Sequence, residues 1–309
     1  MLPRPRRIQN DRIFNLEEDR LIEPAENGSW VRVREAPSPA DAKALREYTE
    51  RYGANVVVEL AADVPLSALE HAQGAAFVIL TGGRASFEGL EALPASVRRL
   101  SVRRQAKAIP LGGLKKHRGL EELELDGPAI AGDGPAFPSL RTLAWTRAKD
   151  AGLAFLERQP ALVHLGLHTS AVTRLPDAPS VERLLLFYPT GLSSLPGIGR
   201  LKKLAFLRID QPKGMKRLGD LSTLRALRSV LLVRAHAIED LSGLATIPEL
   251  ETLNVLHSKL AAKPFLGLRG KLKRGYFHLR SLQESRALMA HLGVPQARLE
   301  AHEPALFDF

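Results

Sequence analysis

Three carboxylates alternate along Leu120-Glu121-Glu122-Leu123-Glu124-Leu125-Asp126. In an extended strand, residues i and i+2 point to one face. Glu122, Glu124 and Asp126 would therefore share a face at steps of about 7 Å. Two carboxyls near that separation are the working parts of a glycosidase, one as acid and one as base or nucleophile. That chemistry also needs burial, to raise the pKa of one of the two. On an open sheet beside Arg99 and Arg103, cross-strand ion pairing is the expected use of these acids. His164 and His168 also fall on one face. Four strand residues span about 13 Å, too far to hold one metal ion. Their neighbours Thr142, Thr146 and Arg183 are poor ligands. No G-x-S-x-G, G-x-x-x-x-G-K-[ST], H-E-x-x-H or G-x-G-x-x-G occurs in the sequence. Cysteine is absent. That removes disulfides, thiolate metal sites and cysteine nucleophiles together. Neither an enzyme nor a cofactor is expected.

The remaining candidates are binding residues. Leu185, Phe187, Tyr188, Phe206, Leu231, Val233 and Leu256 read as one outward apolar patch. Arg183, Arg208, Asp210, His257 and Tyr276 would form its rim. An apolar area with a charged rim marks a protein contact, and aromatics with arginine are its usual anchors.

These residues depend on a repeat for their placement. Val181-x-x-Leu184-x-Leu186 returns as Leu204-x-x-Leu207-x-Ile209, Leu227-x-x-Val230-x-Leu232 and Leu250-x-x-Leu253-x-Val255. The first positions differ by 204−181, 227−204 and 250−227, which is 23 each time. Between them runs an apolar residue every third position, as in Leu192, Leu195, Ile198 and Leu201. Weaker copies begin at Val56, Val78, Val97, Leu120, Leu140 and Leu162, and a degraded one at Leu272. Positions four and six of each copy face a core. Positions three, five and seven face out.

An L-x-x-L-x-L core at a period of 20–29 residues resembles the leucine-rich-repeat superfamily. The irregular repeats of 19 to 23 residues are similar to its bacterial members. The resemblance implies an α/β solenoid: a curved right-handed superhelix with a parallel β-sheet on its concave face. Many members place Asn after the strand to bond the turn. Here those positions hold Gln211, Pro212, Ala235, His236, Ser258 and Lys259, so the turns must be satisfied in another way. A subgroup of bacterial leucine-rich effectors carries a ubiquitin-ligase domain with a catalytic cysteine, which this chain lacks.

Such a stack needs covered ends. Residues 1–52 read as an N-terminal cap. Arg12-Ile13-Phe14-Asn15-Leu16 and Trp30-Val31-Arg32-Val33-Arg34 flank Asn27-Gly28 as a hairpin. A helix follows from Ser38 and Pro39, with Gly53 suited to stop it. Residues 53–279 form the solenoid, about nine or ten repeats. The repeat at 162–180 contains Pro176 and Pro179 and should be irregular on its return side. Residues 280–309 form a C-terminal helical cap, with a helix over Ser281–Leu292 and a tail ending Ala305-Leu306-Phe307-Asp308-Phe309.

The net charge is +10. A basic chain meets acidic proteins, nucleic acid or anionic surfaces. The clusters Arg98/Arg99/Arg103/Arg104, Lys115/Lys116/Arg118, Lys202/Lys203 and Lys213/Lys216/Arg217 fall on different sides of the repeat, and aromatics are only 6% of the chain. A groove that tracks phosphates needs both aligned. The reading is a non-enzymatic module that binds a partner protein, with an acidic partner among the options. Nucleic-acid binding is the alternative. Analogy with the family adds toxin neutralisation, as an immunity protein, or scaffolding as specific roles. No run of 18 apolar residues suggests a membrane span. Lacking cysteine and any signal-peptide core after Met1, the chain reads as cytoplasmic.

Overall fold

The computed structural model describes residues 29–53, 56–82 and 87–294. The limb at residues 12–16, the Asn27-Gly28 turn and the tail at 305–309 lie outside them. The chain divides into two compact units, 1–141 and 142–309.

The first unit holds five strands: β1 (Ser29–Val33), β2 (Val56–Leu60), β3 (Phe77–Leu80), β4 (Arg99–Val102) and β5 (Glu122–Asp126). Each pairs in parallel with the next in chain order. Parallel pairing needs a crossover between strands. Between β1 and β2 it is helix α1 (Pro39–Tyr52). Its start is the expected one. The Ser38 side chain accepts from the Asp41 N–H, and the Asp41 carboxylate accepts from Ser38 N–H. Two of the helix's open donors are thereby satisfied. The stop differs from expectation. Gly53 keeps right-handed torsions, and a Cβ there would fall 2.0 Å from the carbonyl oxygen of Gly74. Gly53 is required for close packing, not for a left-handed turn.

The second unit holds β6 (Thr142–Thr146), β7 (His164–His168), β8 (Arg183–Phe187), β9 (Phe206–Asp210), β10 (Ser229–Val233), β11 (Thr252–Leu256) and β12 (Arg274–Phe277), again parallel in chain order. Short helices α2 (Leu153–Glu157) and α3 (Gly243–Thr246) lie in two of the returns. The return between β7 and β8 has no helix, as its two prolines imply. Helix α4 (Leu282–Leu292) starts at the Ser281 N-cap and stops at Gly293 in the left-handed region (φ 69°). It packs Leu288, Met289 and Leu292 inward, while Leu282 points out.

Register fixes which side chains face out. Thr142, His164, Arg183, Phe206, Ser229, Thr252 and Arg274 are successive Cα partners, so the third positions line up. The inward residues Leu165, Leu184, Leu207, Val230 and Leu253 are fully buried, as are the return residues Leu201, Leu224 and Ile247. Two inward positions take larger side chains, Trp145 and Phe277. Trp145 fits because Gly152 faces it, where a Cβ would lie 2.1 Å from the indole, and because Phe155 meets the ring edge-on at 6.3 Å.

The residue after the seventh position bends the chain out of the sheet. Arg104, Arg147, Thr169, Tyr188, Gln211, Arg234 and His257 all have φ between 47° and 67°. In the second unit this residue still donates to the neighbouring strand: Thr169 N–H to Phe187 O, Tyr188 to Asp210 O, Gln211 to Val233 O and Arg234 to Leu256 O, at 2.7–3.0 Å. The next position is the one many leucine-rich repeats fill with Asn. Here it is buried, and it is satisfied piecemeal. The Ser258 hydroxyl accepts from Ala235 N–H and donates to Leu256 O. The Gln105 side chain donates to two carbonyls, those of Gly82 and Arg103. Pro189 and Pro212 carry no N–H to satisfy.

Candidate functional site

In the first unit the open face is neutralised pairwise. Arg32 meets Glu59 at 3.0 Å, Arg99 meets Glu122 at 3.3 Å, and Arg103 meets Glu124 at 3.7 Å. The Ser101 hydroxyl donates to Glu124 at 2.6 Å, and Asp126 accepts from the Arg104 N–H at 3.1 Å. Glu122 and Glu124 thus work as ion-pair partners across strands, and Asp126 as an acceptor for a backbone N–H. No two of them converge on an open reacting position.

The second unit's face is built differently. Leu185, Leu231 and Val233 sit at outward positions, yet they are only 6%, 5% and 7% exposed. The open apolar area expected there is mostly covered, because longer side chains lie flat across adjacent strands about 4.8 Å away. The Arg183 guanidinium rests 4.3 Å over the ring of Phe206, its partner on β9. Arg208 lies 4.6 Å over Phe187 from the β9 side. His168 stacks on the same ring from the β7 side, at 4.4 Å and 18° between planes. Phe187 is therefore covered on both faces.

Asp210 holds the centre. Its carboxylate is 2% exposed and accepts from Arg208 at 3.1 Å and from Arg234 at 2.8 Å. This pairing raises the Arg234 pKa, chiefly through its hydrogen bond to Asp210. With its amide oriented oxygen-inward, the assignment that satisfies both of its polar atoms, Gln211 accepts from Arg234 at 2.6–3.0 Å and from the Tyr188 hydroxyl at 3.0 Å. Burial, assisted by the nearby Arg208 charge, lowers the His168 pKa to about 4, so the imidazole is neutral at pH 7.

The structure thus brings Arg183, Leu185, Phe187, Tyr188, Phe206, Arg208 and Asp210 together on β8 and β9, with Leu231 and Val233 beside them on β10. Leu256, His257 and Tyr276 lie further along the sheet. There His257 meets His278 edge-on at 5.2 Å. Sequence reasoning placed His168 on the outward face but weighed it only as a metal ligand, and it missed Gln211 and Arg234 as part of the cluster. A signal for these last two was present. Tyr188, Gln211, Arg234 and His257 recur at 211−188, 234−211 and 257−234, again 23 each, so they form a fourth outward row. Among the described residues no cluster of three His, Cys, Asp or Glu is placed to hold a metal ion, and no helix is long and apolar enough to cross a membrane.

No protein-family model matches the chain, and no curated protein matches it in sequence. Solved structures do. The chain is similar to Toll of Drosophila in its complex with Spatzle, at 13% identity over 87% of this chain and 50% of that one, with a TM-score of 0.46. It is similar to the internalin InlF of Listeria monocytogenes at 15% identity over 72% and 78%, TM-score 0.39. It is also similar to TLR13 in its complex with ssRNA13, at 13% identity over 81% and 51%, TM-score 0.40. The chain spans about half the length of Toll and of TLR13. By the 23-residue period of its clearest copies, its parallel strands held in register and its buried leucine rows, the chain has the leucine-rich-repeat fold.

Proposed function

We propose that the open strand face of the second unit binds a partner protein, with β8 to β10 at the centre. The carrying observation is the cluster of Phe187, Phe206, Arg183 and Arg208, in which rings and guanidiniums hold one another in place. Side chains already ordered in this way lose little entropy on binding, and aromatic and arginine anchors dominate interface energetics. Tyr188, 38% exposed, stands at the edge of the cluster as a further anchor. The aliphatic floor of Leu185, Leu231 and Val233 supports the anchors instead of meeting the partner directly. Leu256, His257 and Tyr276 extend the surface along β11 and β12.

The same cluster argues against single-stranded nucleic acid. Base recognition of that kind needs open aromatic faces. Here His168 and Arg208 occupy both faces of Phe187, and Arg183 covers one face of Phe206.

The test is affinity capture from host lysate with and without nuclease, followed by calorimetry with the purified candidate. Wild type is compared with Phe187→Asp/Phe206→Asp, and circular dichroism verifies that the variant is folded. The expected result is one nuclease-resistant protein that binds the purified wild type directly and loses binding to the variant. Capture dominated by nuclease-sensitive material and unchanged in the variant overturns the proposal in favour of nucleic acid.

A further inference from the structure

We infer that the partner meets this face with an acidic segment of extended chain, crossing β8, β9 and β10 obliquely. The inference rests on the reading of the second unit's face as a protein-binding surface. Its own support is charge. Over β6 to β12, the outward positions and the residue following each strand carry Arg147, Arg183, Arg208, Arg234 and Arg274 against Asp210, and 5−1 is +4. His168 adds nothing to this at pH 7, since burial holds it neutral. The corresponding positions of β1 to β5 carry Arg32, Arg34, Arg99, Arg103 and Arg104 against Glu35, Glu59, Glu122, Glu124 and Asp126, and 5−5 is zero. Both units present the same kind of parallel, in-register strand face, so the imbalance belongs to the residues of the second face and not to the architecture.

The geometry sets the shape of the complementary segment. Arg183, Arg208 and Arg234 occupy the third, fifth and eighth positions of three successive strands. Their Cα atoms therefore step diagonally by about 8 Å and then about 11 Å. An extended chain covers such steps in two to three residues each. Carboxylates at that spacing can reach all three guanidiniums, whose planar edges match carboxylates. Asp210, already held by Arg208 and Arg234, shows the mode of contact on a smaller scale.

The probe is a fluorescein-labelled peptide of 16 residues in which Glu and Ser alternate, measured by anisotropy at low salt. Controls are the same peptide with Gln for Glu and a single-stranded oligothymidylate of equal length. Variants are Arg183→Gln/Arg234→Gln in the second unit and Arg99→Gln in the first. Arg234 is exposed just after β10, and Asp210 keeps its bond from Arg208 when Arg234 is replaced, so the double variant tests two of the three contacts. The expected result is binding of the Glu peptide that weakens with salt, roughly tenfold weaker binding for the Gln peptide, and a similar loss in the double variant. Arg99→Gln should leave binding within about twofold, since Arg99 is already paired with Glu122 inside the first unit. Failure of the Glu peptide to bind, equal binding of the Gln peptide, or no response to Arg183→Gln/Arg234→Gln overturns the inference. Tighter binding of the oligonucleotide through the same arginines overturns it as well. The two proposals separate cleanly. A captured protein that depends on Phe187 and Phe206 but ignores salt and the arginine variants keeps the binding face and removes the acidic segment.

Discussion

The faces of the two units share a backbone and differ in how they treat charge. In the first, cations and carboxylates meet across neighbouring strands and cancel, as in Arg99 with Glu122 and Arg103 with Glu124. Both faces set an arginine on a ring, Arg99 on Phe77 in the first and Arg183 on Phe206 in the second, but in the second the single carboxylate among the outward residues of the described strands is buried beneath two arginines. Exposed ion pairs contribute at most about 1 kcal/mol each and leave a face with little net field. Arginine on aromatic rings leaves the charge in place and orders it. The repeat decides where side chains go. What they do there is set by the residue types at positions three, five, seven and eight, on which the core places no demand.

The largest expected contrast is in pH response. The folded pKa of His168 is depressed from 6.5 to about 4, chiefly by burial. A depressed pKa means that the unfolded chain binds the proton first. Stability from this site is therefore full above pH 6.5 and is lost as pH falls toward 4. The loss amounts to on the order of 3 kcal/mol by pH 4. Urea unfolding of wild type and His168→Gln at pH 7, 6 and 5 should show the two curves converging as pH falls. A constant offset between them would remove His168 as the cause. In the first unit, burial also lowers the pKa of His117, so that unit keeps a slope of the same sign in both proteins.

The next contrast separates the two kinds of ion pair. Asp210→Asn removes a carboxylate that is 2% exposed and leaves Arg208, with a side chain only 19% exposed, without its charged partner. A cost of about 2 kcal/mol follows from losing charged hydrogen bonds in a desolvated place. Glu122→Gln removes a carboxylate that is half in water, and should cost less than about 1 kcal/mol. Urea midpoints at unchanged slope measure both. Equal costs would mean that the two faces are not built on different terms.

Residues 30–34 read as a limb of a hairpin, whereas β1 pairs in parallel with β2. For β8 to β11 the period of 23 and the alternation of leucines made the strands, their register and their buried rows legible in advance. Those features follow from backbone geometry alone. The covering of Leu185, Leu231 and Val233 was not legible. Alternation tells which face a residue leaves from, but not that Phe187 or Arg208 is long enough to lie over the next strand. The role of Gly53 was misread for a related reason. Helix-end rules describe torsions, whereas the constraint at Gly53 is the carbonyl of Gly74, brought near by tertiary packing. The bend after each strand was also hidden. A left-handed position is signalled by Gly or Asn, and here it is filled by Arg, Thr, Tyr, Gln and His.

That bend gives the smallest and most local test. At φ 47°, Thr169 is the β-branched member of the left-handed row, and its Cβ substituents crowd the backbone more than those of any unbranched neighbour. The conformation costs an ordinary residue about 1–2 kcal/mol, and Asn adopts it more readily. Thr169 is exposed, and its N–H bond to Phe187 O survives any side-chain change. Thr169→Asn should therefore stabilise the protein by about 0.5–1 kcal/mol. The same change at Tyr188 or Arg234 should not stabilise it, because their side chains hold Gln211 and Asp210. Thermal unfolding of the three variants decides the matter. Similar gains at all three would show that backbone strain, and not the side-chain network, governs the edge of the proposed binding face.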